Sequence, residues 1–186
     1  VMGRVSESLA ESLRAVELDP LNSDVLSHLP FHYILAHDHE AGIAAARRSL
    51  EVDPGHFATL VYLLWHYQQT KRFDQAVETG VKLGDSPTLT ASFKKALAAT
   101  GERGYWQVLL DHRLPKSPRP GSYIDAYDLA RLYSRLNDRD HALEWLGRAF
   151  EDRNSWLVYL KLDPAWDNIR GDARFAELVH RVGLPE

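Results

Sequence analysis

AYDLARLYSRLNDRDHALEWLGRAF, residues 126–150, sets large and small side chains at helical spacing on both sides of a polar break. Ala126, Leu129, Ala130 and Tyr133 fall on one face of a first helix, and Ala142, Leu146 and Ala149 on one face of a second. Two antiparallel helices approach closely only where slim side chains oppose bulky ones, so Ala130, Ala142 and Ala149 open gaps for Leu129, Tyr133 and Leu146 to fill. The break contains Asp138 and Asp140, a residue type that commonly caps the helix that follows. The stretch therefore predicts a tightly packed helical hairpin.

The same spacing occurs earlier in the chain. Leu26, Leu29 and Tyr33 share a helix face, and Leu60, Leu63 and Tyr67 repeat their offsets 34 residues on. AVELDP, residues 15–20, returns as SLEVDP, residues 49–54, with the two prolines again 34 residues apart. Proline cannot continue a helix, so each hexapeptide reads as a helix terminus reused once per repeat.

A 34-residue period with Leu-Gly/Ala, Tyr, Ala and a closing Pro resembles the tetratricopeptide repeat. Of eight signature positions, five match in Leu21–Pro54, four in Phe57–Ser86 and six in Tyr123–Asn154. The resemblance implies an all-α fold, a right-handed α-α superhelix of antiparallel helix pairs with about ten helices and a C-terminal cap. On that reading residues 1–20 are the lone second helix of a truncated repeat, and 21–54 and 55–86 are repeats. Residues 87–114 form a degenerate helical hairpin, 115–122 a proline-rich loop, 123–154 a third repeat and 155–186 the cap. The last repeat's first helix is expected to start at Ser122, with Asp125 in capping-box position. The LDP at 162–164 is out of phase, Pro164 lying 110 residues after Pro54, which assigns it to the cap.

The final third, YDLARLYSRLNDRDHALEWLGRAFEDRNSWLVYLKLDPAWDNIRGDARFAELVHRVGL, is also similar to the tetratricopeptide region of bacterial multidomain regulators. In that group such arrays follow a Ser/Thr kinase, a winged-helix DNA-binding domain or a cyclase, and Gly or Ala usually stands where this chain has Pro30. The resemblance implies a cytoplasmic regulatory or scaffold module of a larger bacterial protein. No kinase, winged-helix or cyclase residues occur here, so those activities are not carried over. The first residue, Val1, suggests a piece of a longer chain.

Composition limits the remaining classes. The chain has 186 residues, 26% charged and 45% hydrophobic, with net charge -4, which gives no electrostatic reason to expect a nucleic-acid surface. Zero cysteines exclude a disulfide framework and suit a reducing compartment. The most apolar run, FATLVYLLW at 57–65, is about half the roughly 18 residues a membrane span needs. The expected partner is a protein or peptide, without nucleic acid or membrane.

In the tetratricopeptide architecture the first helix of each pair lines the concave surface. The groove candidates are Phe31, with Ser27, Ile34 and Leu35, then Val61, Tyr62, Trp65, Gln68 and Gln69, and then Tyr127, Arg131 and Arg135, with Asp128 and Ser134. Aromatic anchors at Phe31, Trp65 and Tyr127 would hold an amphipathic or extended segment, and Arg131 with Arg135 a carboxylate. The Lys/Asn/Arg clamp of chaperone-binding relatives is absent, because Ser27, Phe31, Val61 and Trp65 occupy its early positions. Residues 4–18 put Val5, Leu9, Leu13 and Val16 on one stripe with no preceding helix to cover it, which raises self-association through that helix as the alternative. Pro30 inside a helix predicts a kink.

Cofactors and metals are not expected. His28 and His32 share a helix face, but no H-E-x-x-H stands there, and His32 and His66 occupy the same repeat position, which points to a structural role. No glycine-rich phosphate loop, G-x-S-x-G or cysteine nucleophile occurs, so catalysis is not expected.

Overall fold

The structure, a computed structural model, describes residues 4–114 and 125–184. The expected proline-rich loop 115–122 and the Ser122 helix start lie outside these residues. The described residues contain ten α-helices and two short 3-10 turns, with no β-strand. They divide into two compact units, one running to Glu102 and the other from Arg103.

In the first unit α1 (Val5–Leu18), α2 (Ser23–Leu35), α3 (His39–Val52), α4 (Phe57–Gln69), α5 (Phe73–Lys82) and α6 (Pro87–Thr100) each pack on the next. α2 also packs on α4. The stripe of α1 is not left bare: Val16 is buried and Leu9 packs with it against Leu26 and Leu29 of α2, while Leu13 stays 41% exposed. α2 runs through Pro30 without a break, and its proline ring is buried. Slim residues also line the helix contacts of this unit. Ala46 and Ala76 are fully buried, and a Cβ at Gly42 would lie 2.0 Å from the His66 ring, so only glycine fits between α3 and α4 there.

The second unit holds α7 (Glu102–Arg113), α8 (Ala126–Arg135), α9 (Arg139–Glu151), 3-10 turns at Ser155–Tyr159 and Pro164–Trp166, and α10 (Ala173–Val182). Its core gathers Ala126, Ala130, Ala142, Leu146 and Ala149 of the α8–α9 hairpin with Leu160, Trp166, Ile169, Phe175 and Leu178 of the C-terminal segment. α8 starts at Ala126, and Asp125 is its N-cap, accepting from the amides of Tyr127 and Asp128, instead of sitting one turn inside the helix. A carboxylate at the cap itself satisfies two otherwise unpaired amides and meets the positive end of the helix dipole.

Three hairpin turns share one geometry. The amides of Asp38, Arg72 and Asp138 donate to the carbonyls of Tyr33, Tyr67 and Tyr133 at 3.0, 2.8 and 2.9 Å. The residue before each, His37, Lys71 and Asn137, has φ of 58°, 58° and 62°. A left-handed residue just past the helix, bridged by a six-residue hydrogen bond, stops a helix and reverses the chain. These turns mark equivalent positions along α2, α4 and α8, each within its own hairpin.

Candidate functional site

In the first unit the register places Ser27, Phe31 and Ile34 of α2 opposite the same hairpin positions as Val61, Trp65 and Gln68 of α4. Phe31 and Tyr62 meet with ring centroids 5.3 Å apart, and Tyr62 meets Trp65 edge-on at 5.9 Å. These separations suit favourable tilted and edge-to-face contacts. All three rings are half-buried, as are Val61 and Gln69, whereas Gln68 is only 9% exposed. Ser27, Ile34 and Leu35 belong to the interior: the Ser27 hydroxyl donates to the Asp24 carbonyl at 2.6 Å, and Ile34 and Leu35 are 6% and 5% exposed. The sequence thus names a row of rings, Phe31–Tyr62–Trp65, that the fold brings together, along with neighbours it turns inward.

The second unit treats the same stripe differently. Tyr127 is 3% exposed, and its hydroxyl donates to Asp163 Oδ2 and accepts from Trp166 Nε1, each at 3.1 Å. One turn along, Arg131 Nε lies 3.2 Å from the same Asp163 oxygen, both side chains being largely buried. A turn further, the Ser134 hydroxyl donates to the Ala165 carbonyl at 2.7 Å, and Asn168 Nδ2 donates to the Ser134 carbonyl at 2.8 Å. The α8 face that would hold a partner's carboxylate holds the chain's own.

Burial and the adjacent Asp163 carboxylate push the Tyr127 phenol well above its ordinary value, so it stays a hydrogen-bond donor. Burial disfavours the Arg131 charge, but Asp163 and then Asp128 outweigh it and hold the guanidinium protonated. The Arg135 guanidinium lies 5.6 Å from the centre of the Trp106 ring.

Asp163 owes its place to a local device. It caps the turn Pro164–Trp166, accepting from the Ala165 amide at 2.8 Å, and Arg170 donates to the carbonyls of Leu160, Lys161 and Asp163 at 3.3, 3.0 and 2.8 Å. Asn154 ties the start of the segment to the Asp125 cap at 3.1 Å. The sequence alone assigns Asp163 and Trp166 to the cap and gives them no role at α8; the out-of-phase LDP at 162–164 is the one local signal near them.

His32 and His66 both make buried or half-buried structural contacts. Ser8 and Ser12 of α1 stand 3.0 and 2.7 Å from the two ring nitrogens of His32. His66, fully buried, reaches the Pro30 carbonyl at 2.9 Å through Nε2 and His39 at 3.2 Å through Nδ1. Among the described residues no group of three or more His, Cys, Asp or Glu side chains is placed to hold a metal ion. No helix among them is long and apolar enough to cross a membrane. Compared with protein-family models and with curated proteins, the chain matches none.

Proposed function

We propose that the chain is a tetratricopeptide-type interaction module, an array of helical hairpins whose first unit receives a protein or peptide segment at the Phe31–Tyr62–Trp65 row. The observation that carries this reading is the clasp in the second unit. There a stripe of three side chains one turn apart, Tyr127, Arg131 and Ser134, grips the polypeptide segment 163–168 through its carboxylate and carbonyl groups. Val61, Trp65 and Gln68 occupy the same hairpin positions of α4, with apolar chemistry in place of phenol and guanidinium. Support also comes from the repeated Tyr33, Tyr67 and Tyr133 turns and from the direct packing of α2 on α4. Half-buried rings supply large contact area at low conformational cost, which suits them as anchors for an apolar segment. Catalysis has no place in this reading, which rests on shape and side-chain lining alone.

Selection of a displayed random-peptide library on the full chain tests the reading, with Trp65→Ala as the counter-selection. Peptides that bind the parent and lose at least about tenfold in affinity for a folded Trp65→Ala variant support it, the loss of one aromatic anchor being worth roughly 1–2 kcal/mol or more. Peptides that bind both proteins equally defeat the assignment to this row.

A further inference from the structure

Pro30 and Gly42 create a site for a histidine inside the first unit. Without Gly42 the ring of His66 has no room, since a Cβ there would overlap it, and the Pro30 carbonyl supplies the acceptor for its Nε2. A carbonyl only accepts, so Nε2 carries the proton, and neutral His66 presents a lone pair at Nδ1. His39 Nδ1 stands 3.2 Å from that lone pair and must donate to it. One side chain of α4 thereby holds the backbone of α2 and a side chain of α3.

We propose that the His66–His39 bridge is an acid-sensitive latch of the first unit, joining α2, α3 and α4 while His66 is neutral and parting when a proton reaches its Nδ1. A proton taken by His39 at its other nitrogen leaves the bridging N–H in place. The next proton, on His66 Nδ1, sets two N–H groups against each other and puts a charge in a fully buried ring. The groups around the ring act on this charge in both directions. From α2 the Pro30 carbonyl, as acceptor, favours the charge, and from the start of α3 His39 repels it while the Asp38 cap favours it. Glu40 is already engaged by Arg72 at the start of α5, and α4 itself carries no Asp, Glu, Lys or Arg. Burial dominates, and the ring's pKa is lowered from 6.5 to about 4.

His32, at the equivalent position of α2, is also held below its ordinary value, by burial and then by His28, but it forms no such bridge. Its two nitrogens face serine hydroxyls, which rotate to donate or accept, so protonating it breaks no bond.

The sign follows from linkage. A histidine whose folded pKa lies below its unfolded value stabilises the fold fully above pH 6.5, and that stability is lost as pH falls from 6.5 toward 4. Urea unfolding of the full chain at pH values between 7 and 4 tests it, comparing the parent with His66→Gln, which keeps an N–H donor for Pro30 but cannot titrate. Between pH 7 and 4 the folding constant of the parent is expected to fall roughly a hundredfold more than that of the variant. Equal falls overturn the latch. Ring-nitrogen NMR of the unmutated protein decides the matter without a variant: an Nε2–H tautomer still neutral at pH 5.5 is the expected result, and titration near 6.5 or an Nδ1–H tautomer overturns it.

Discussion

α4 and α8 stand at the same place in their hairpins, registered by the turns that close on Tyr67 and Tyr133, yet their equivalent stripes do opposite work. On α8 a phenol, a guanidinium and a hydroxyl are spent on the chain's own segment 163–168. On α4 Val61 and Trp65 are half-buried, and Trp65 continues a row of rings into α2. A position in a repeat fixes where a side chain stands, and the chemistry of that side chain decides what it takes. Polar groups on α8 require a polar occupant, because burying them unpaired is costly, and Asp163 with the Ala165 carbonyl meets that requirement.

The contrast can be broken most forcefully at Trp166, which is fully buried and bonded to Tyr127. Trp166→Ala is expected to cost about 3–5 kcal/mol, with amide exchange accelerating in the second unit. Removal of the carboxylate comes next: Asp163→Ala strands a buried guanidinium and uncaps the Pro164 turn, for about 3 kcal/mol in urea unfolding. Gly42→Ala probes the first unit, where the new methyl overlaps His66, and a loss of about 1–3 kcal/mol is expected in the same measurement. Tyr127→Phe keeps the ring and deletes the hydroxyl between Trp166 and Asp163, for about 1–2 kcal/mol. Trp65→Ala should disturb folding least of these, since its ring is only half-buried, while removing the proposed anchor.

Much of the helical layout was legible because periodicity and caps act locally. The Leu26/Leu60 and Tyr33/Tyr67 pairs gave the spacing, and Asp38, Ser86 and Asp138 cap helices as their residue types suggest. What stayed hidden is what depends on distant partners. Tyr127 and Arg131 read from the sequence as groove residues, and only the fold brings Asp163, more than thirty positions on, beside them. The three LDP-like segments look alike in sequence and differ in role: Asp19 and Asp53 end helices, while Asp163 begins a turn and points its carboxylate at α8. His66 was recognisable as structural from its register with His32. Its bond to Pro30 was not, because it needs a proline carbonyl and a glycine from two other helices.

The most direct measurement is a double-mutant cycle on Arg131 and Asp163 in the full chain, using Arg131→Gln, Asp163→Asn and the pair, with stability read by urea unfolding. A chain that fills its own α8 stripe should return a coupling of at least about 1 kcal/mol, as contacting buried charges do. Additive losses, within about 0.3–0.5 kcal/mol, would mean that Arg131 is not holding Asp163 and that the α8 stripe is open to something else.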